Sequence, residues 1–187
     1  MKPVSLLPAL AVFSSLALSL APFSSAANGG EPAERYQGPE GRFDHPAGWK
    51  VERGADVSAE VALKLIPPDG APLASAALLI GGKRVTDGEL EAQSGEWHSA
   101  HLRNRSAWGM HLSSGLPREE VRAGGRRALR FRDRVGGALG ASEQTFVCAA
   151  VASHLVCLLV TAPADARDHA DALANQIFSS ISLKSRR

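Results

Sequence analysis

Two cysteines, Cys148 and Cys157, are the only ones in the chain, and they lie in neighbouring apolar segments. If Ala152 and Ser153 form a two-residue hairpin loop, the antiparallel register places the cysteines opposite each other as a non-hydrogen-bonded pair. Side chains approach most closely at such pairs, so the sequence predicts a disulfide. The alternative is two small buried thiols, because a three-residue loop would change the register. The spacing is not Cys-x-x-Cys, so we expect no redox-active pair.

Two histidines, His98 and His101, lie three residues apart on a predicted helix, where both could face one metal ion. A metal site needs at least a third ligand, and the sequence has no Glu-x-x-His or His-Glu-x-x-His pattern. We therefore expect no metal and no cofactor, and interpret both residues as ordinary helix histidines beside Trp97. The alternative is a small secreted metal-dependent hydrolase that uses His98 and His101.

Other patterns that could do chemistry are incomplete. Gly81-Gly82-Lys83 lacks the preceding glycine and the adjacent hydroxyl residue of a phosphate loop, so a strand-to-helix turn is expected. The glycine-rich residues 136–140 lead into a strand rather than a helix, unlike a dinucleotide loop. Glu119 and Glu120 are adjacent and would face opposite ways on a strand, and no nucleophile elbow is present. The sequence predicts no catalytic residues.

An arginine-rich segment, Arg118–Arg134, is the strongest binding candidate. It has seven arginines and three acidic residues, a local excess of four positive charges. On a strand, Arg130 and Arg132 would project to one face, and a planar guanidinium binds carboxylates and phosphates through paired hydrogen bonds. An anionic envelope polymer, a lipid headgroup or an acidic protein surface could dock there; the alternative is a solvated sheet edge. The predicted contact residues are Arg126, Arg127, Arg130 and Arg132.

The first 27 residues have the three regions of a secretory signal peptide. Lys2 provides a positive start, residues 4–20 are mostly apolar, and small residues allow cleavage after Ala26 or Ala27. An uncleaved membrane anchor is the alternative, but the apolar run is short and interrupted. No later segment is long and apolar enough to cross a bilayer, so we expect a soluble, periplasmic or secreted protein without a transmembrane segment. An oxidising compartment also suits the disulfide.

The composition is that of an ordinary globular protein. The 187 residues are 44% hydrophobic and 21% charged, with a formal net charge of +2, which gives no indication of nucleic acid as a partner. Residues 28–41 are rich in glycine, proline and glutamate, and we expect a flexible leader there. Residues 42–187 are expected to form one domain.

Short strand patterns alternate with two helical ones along this domain. A capping box at Thr86 and Glu89 opens a helix that reaches about Arg105. Pro163 opens a second helix, whose apolar residues recur at spacings of three and four. The predicted strands contain Trp49, residues 59–66, 74–80, 108–112, Val121, residues 127–132, 144–151 and 154–161. The two final strands are apolar on both faces, so the predicted fold class is α+β, an antiparallel β-sheet sandwiched between helices.

The opening of the domain resembles that of the PsbP-like family, whose members begin with an aromatic residue, a proline and a glycine-tryptophan turn. The matching residues are Phe43, Pro46, Gly48 and Trp49. The ending is similar too, with an apolar hairpin, Thr161-Ala162-Pro163, a helix and residues 177–183. The resemblance implies an antiparallel sheet between helices. It also implies a non-enzymatic role, since the family includes an extrinsic photosystem II subunit, a nuclear-transport factor that binds a small GTPase, and exported bacterial proteins.

These features together predict an exported, non-enzymatic accessory or binding module of the cell envelope. Its partner would be an envelope protein or an anionic polymer, and no nucleic acid is expected. A structural envelope protein that coats a larger assembly is a further alternative, distinguished by co-purification that is insensitive to salt.

Overall fold

A computed structural model of the chain describes residues 32–54, 59–107, 111–136 and 142–184. The predicted signal peptide lies outside these residues. The start of the predicted leader also lies outside them. The same holds for residues 108–110 of a predicted strand and for most of the glycine-rich residues 136–140.

The described chain has eleven strands, two α-helices and one short 3-10 turn at Ala164–Ala166. The helices are α1 (Leu90–Ala107) and α2 (Arg167–Ser180). The strands are β1 (Ala33–Gln37), β2 (Gly41–Pro46), β3 (Lys50–Gly54), β4 (Val61–Ile66), β5 (Ser75–Arg84), β6 (His111–Gly115), β7 (Glu119–Ala123), β8 (Arg126–Gly136), β9 (Ser142–Val151), β10 (His154–Ala162) and β11 (Ser182–Leu183).

The strands form two antiparallel sheets. The larger sheet has eight strands in the order β3-β4-β5-β10-β9-β8-β6, and β7 pairs with β8 beside β6. Pro117 lies between β6 and β7 along this edge, where a missing backbone donor is tolerated. The smaller sheet has the order β1-β2-β11. The predicted antiparallel α+β class is confirmed, whereas a single sheet was expected and two are present.

The strand β1 lies inside the segment expected to be a flexible leader, so for these residues the expectation was wrong. Tyr36 packs on Phe43 of β2, with ring centroids 5.0 Å apart. Arg35 donates to the carboxylate of Asp44 at 2.7 Å. Cross-strand pairs of this kind order a strand whose composition is polar. The first strand therefore begins at Ala33, nine residues before the expected start of the domain at residue 42.

The β9–β10 hairpin has the register that the sequence predicts. Ala152 and Ser153 form its turn with positive φ values of 48° and 61°, and Cys148 pairs with Cys157. The two sulfur atoms are bonded to each other, which supports the disulfide. Both cysteines are fully buried in the middle of the larger sheet.

Alternate residues of the larger sheet belong to two separate hydrophobic clusters. One cluster contains Val147 and Val156 and includes most buried residues of α2 together with Phe43 of the small sheet. The other contains Cys148, Phe146 and Leu90 at the start of α1. The expected covering of helices is thus found in part: α1 lies on one face, whereas α2 shares the other face with the small sheet.

Both helices begin and pack much as their sequences predict. The Glu89 carboxylate accepts hydrogen bonds from the backbone amide and the hydroxyl of Thr86, as in a capping box. In and around α2, the buried residues include the whole predicted stripe. These residues are Ala166, Ala170, Leu173, Ile177 and Ile181. Neither described helix has the length and apolar character needed to cross a membrane.

Candidate functional site

The four arginines of the predicted anionic-partner contact lie on β8, but they do not share one face. Arg126, Arg130 and Arg132 lie on the face that carries α2. Arg127 lies on the opposite face, where it donates to the backbone carbonyl of Asp87 near the start of α1. Alternation along the strand separates them, because successive side chains point to opposite faces.

Arg130 and Arg132 project side by side, as expected, and both contact α2. Their guanidinium groups donate to the same oxygen, Oδ2 of Asp171, at 2.8 and 2.7 Å. Arg130 Nε also donates to Glu119 of β7 at 2.9 Å, and this hydrogen bond lowers the pKa of Glu119. The side chains of Arg130 and Arg132 are only 19% and 14% exposed. All three guanidinium nitrogens of Arg130 therefore donate within the fold, and Arg132 donates through Nη2.

The other two arginines also have internal partners. Arg126 Nε donates to the carbonyl of Phe178 at the end of α2, at 3.0 Å. Arg127 forms an ion pair with Glu120 at 2.9 Å, which lowers the pKa of Glu120. The side chains of Glu119 and Glu120 thus lie on opposite faces of the larger sheet, as predicted. The arginines join β8 to α2 and β7, and their contact with an anionic partner stays a prediction.

His98 and His101 lie on the side of α1 that packs on the larger sheet, and they contact different strands of it. His98 Nε2 is 2.6 Å from Oδ2 of Asp133, and its ring stacks on Phe131 at 4.3 Å between centroids. His101 Nε2 is 2.9 Å from Oε1 of Gln144. Because Asp133 and Gln144 are almost fully buried, these contacts hold α1 on the sheet. Within the described residues, no three histidine, cysteine or carboxylate side chains gather as a metal site.

Gly81 and Gly82 lie inside β5, so the expected strand-to-helix turn was wrong. The indole of Trp97 lies over Gly81, where a Cβ atom would be 3.1 Å from the ring. At Gly82 a Cβ atom would be 2.4 Å from Oε2 of Glu60. The two glycines therefore continue the strand and leave room for these neighbours.

An open groove of about 1010 Å³ lies where three segments meet: the turn before β3, the loop between β4 and β5, and one side of α2. Gly48 makes the turn with a φ of 80°, and the amide of Ala47 donates to the carbonyl of Pro32 at 2.7 Å. Most of the lining is apolar. These apolar residues are Pro32, Ala33, Pro46, Ala47, Trp49, Pro68, Ala71, Pro72, Leu73, Ala172 and Leu173.

The sequence identified one wall of this groove only as a structural motif, through Pro46, Gly48 and Trp49. It did not identify the groove itself, because the loop and α2 reach the motif only in the folded chain. The proline cluster at residues 67–72 was a signal, since it indicated a rigid loop beside an apolar strand. Asp69 and His169 are the titratable residues in the lining.

Comparisons with known proteins show the fold and nothing finer. No family model and no curated protein matches the sequence. The solution structure of cyanobacterial PsbP (CyanoP) from Synechocystis sp. PCC 6803 is similar, with a TM-score of 0.54 and 13% identity over 86% of this chain and 98% of that chain. A crystal structure from Bacteroides thetaiotaomicron has a TM-score of 0.55 and 9% identity, over 82% of this chain and 49% of that one. The chain therefore has a PsbP-like fold.

Proposed function

We propose that the chain is an exported, non-enzymatic member of the PsbP-like family that acts as a binding module of the cell envelope. The observation that carries this proposal is the apolar groove beside Trp49. An open, mostly apolar concavity on a folded domain is the usual form of an interaction site. The PsbP-like fold supports the proposal, although a fold alone does not determine function.

The groove suits an extended apolar segment of a partner protein. Its walls are formed mainly by proline, alanine, leucine and tryptophan, which offer contact area but few hydrogen bonds. Gln176 on α2 is one polar lining residue that can orient a bound backbone. With so few charged groups in the lining, association at the groove should depend little on ionic strength, unlike docking through arginines. Salt dependence therefore does not distinguish a module that binds through this groove from a structural coat protein.

Export is part of the same proposal. The predicted signal peptide and a disulfide between the two cysteines both suit a periplasmic or secreted protein. The mature protein would be soluble.

Site-specific photo-crosslinking tests the proposed groove. A benzophenone amino acid in place of Ala172, an exposed residue of α2 that lines the groove, should form an adduct with a partner protein in exporting cells. The same adduct should still form when a cell extract is irradiated at a salt concentration of about 1 M, because the contact is apolar. Ala172→Arg in the unlabelled protein should abolish competition for that partner.

The matched control uses Ala92, an exposed alanine on α1 that is not part of the groove lining. No adduct should form from position 92, and Ala92→Arg should compete like the wild-type protein. The groove is rejected as the docking site if position 172 gives no adduct or if both positions give the same one.

The alternative of a metal-dependent hydrolase has less support, because His98 and His101 each contact a different side chain of the sheet. Elemental analysis of the purified protein distinguishes the two functions. We expect no stoichiometric zinc; one zinc per chain that is lost in His98→Ala would overturn the non-enzymatic proposal.

A further inference from the structure

A second pocket, of about 470 Å³, lies at the opposite end of β5 from the loop that borders the groove. Three segments that are distant in sequence form its walls. Arg84 comes from the end of β5, Ser153 from the β9–β10 turn with His154 directly after it, and Lys184 is the residue after β11. We call this concavity the basic pocket.

The turn side of the basic pocket is held by hydrogen bonds. The carbonyl of Ser153 accepts from the amide of Val85 at 2.8 Å, which joins the turn to the end of β5. His154 Nδ1 is 2.9 Å from the carbonyl of Ala152. A carbonyl can only accept, so Nδ1 carries the hydrogen and Nε2 is left for another partner.

The cations of the basic pocket differ from the arginines of β8. Neither Arg84 nor Lys184 forms an ion pair or a side-chain hydrogen bond with any described residue, and both are exposed. By contrast, Arg130 and Arg132 share a carboxylate of α2. Two cations in one concavity that have no partners among the described residues attract an anion.

We propose that the basic pocket binds the phosphate group of a small phosphate monoester. A tetrahedral dianion needs donors from several directions, and the lining residues Arg84, Lys184 and Ser153 carry a guanidinium, an ammonium and a hydroxyl group on separate segments. A carboxylate would need only one such fork. The volume is in the range of small-molecule sites.

Glu60 is the acidic residue of the lining, and it favours a small ligand over a polyanion. Its carboxylate lies against the backbone at Gly82 and would have to move to admit a larger residue there. A second phosphate in that position would be repelled, whereas a hydroxyl group of the ligand could donate to the carboxylate. Gly82 thus shapes this wall of the pocket.

Titration calorimetry with phenyl phosphate tests the proposal, with benzoate as a second aromatic probe that carries a planar carboxylate in place of the tetrahedral phosphate. We expect saturable binding of phenyl phosphate, at least tenfold weaker binding of benzoate, and loss of phosphate binding by tenfold or more in Arg84→Gln/Lys184→Gln. Lys83→Gln is the matched control, because Lys83 is an exposed neighbour that does not line the pocket. It should bind like the wild-type protein.

Three results would overturn the assignment. They are the absence of saturable binding, equal binding of benzoate, and equal weakening by Lys83→Gln, which would show only the effect of net charge. The substituted residues are exposed, so the double variant should keep its thermal midpoint, and a circular dichroism melt checks this. The outcome is independent of the groove, because the two sites share no lining residue.

Discussion

Arg130 and Arg132 meet α2 at one oxygen of Asp171, and Arg132 Nε is buried without a hydrogen-bond partner among the described residues. Asp171 therefore holds two guanidinium groups that would otherwise repel each other. Substituting either arginine would change both the local charge and the attachment of α2. A loss of partner binding in such a variant would not by itself identify a contact.

Asp171→Asn should destabilise the protein by about 1–2 kcal/mol, because it removes a charged acceptor from two mostly covered arginines. Urea unfolding at neutral pH measures the loss. Asp168→Asn, on an exposed part of the same helix, should cost no more than about 0.5 kcal/mol. Equal losses in the two variants would show that Asp171 does not have this role.

The cysteine pair could be predicted from the sequence, whereas the partners of the arginines could not. Cys148 and Cys157 are joined by a two-residue turn, so their alignment follows from local register alone. Asp171 is about 40 residues from the arginines along the chain, and the pairing arises only when α2 packs on the sheet. Charge patterning shows an excess of arginine but not where its counterions lie.

The β7–β8 turn packs against the end of α2 through Gly124. Its amide donates to Asn175 Oδ1 at 3.1 Å, and its φ is 55°. A Cβ atom at Gly124 would be 2.1 Å from the backbone nitrogen of Ser179. Side chains are therefore excluded from this turn by both the backbone conformation and the helix beside it.

Gly124→Ala should destabilise the protein by more than Gly125→Ala. Gly125 also has a positive φ, of 79°, but nothing lies within 4 Å of its Cβ position. Gly125→Ala should thus lower the free energy of unfolding only by the strain of a left-handed backbone conformation, about 1–2 kcal/mol. Chemical denaturation of both variants measures the difference, and equal losses would mean that α2 moves freely away from the turn.

The helices and the central hairpin were predictable because their signals are periodic and local. The stripe of α2, the capping box of α1 and the apolar strands around Ala152 each occupy a short stretch of sequence. β1 was missed because its polar residues resemble a leader until Tyr36 packs on Phe43. The glycines of β5 were misinterpreted because Trp97, which packs over Gly81, lies on another element.

Acid should weaken the whole fold through carboxylates that lie beside arginines. A hydrogen bond from Arg130 lowers the pKa of Glu119, and one from Arg35 lowers the pKa of Asp44. These groups are more acidic in the folded chain than in the unfolded chain. Their stabilisation is complete above the ordinary values of 4.5 and 3.8, and is lost as the pH falls through the lowered values.

Urea unfolding between pH 7 and pH 3 checks this expectation. The free energy of unfolding should fall toward acid, and Glu119→Gln should reduce the slope. Glu96→Gln is the control, since Glu96 is exposed and forms no ion pair with the described residues. If Glu119→Gln leaves the pH dependence of the free energy of unfolding unchanged, the ion pair of Glu119 with Arg130 does not contribute to acid sensitivity.

The middle strand of the small sheet, β2, pairs with β1 on one side and with β11 on the other, so that Arg42 lies opposite Ser182. A polypeptide that leaves a ribosome or a translocation channel with its amino end first presents β2 long before β11 exists on the far side. The β1–β2 hairpin must therefore wait, with one edge open, until nearly the whole domain has emerged. Pairing of β11 with the open edge of β2 should therefore be the last step of folding during synthesis or export. Until then, the open edge can pair with a strand of a neighbouring chain.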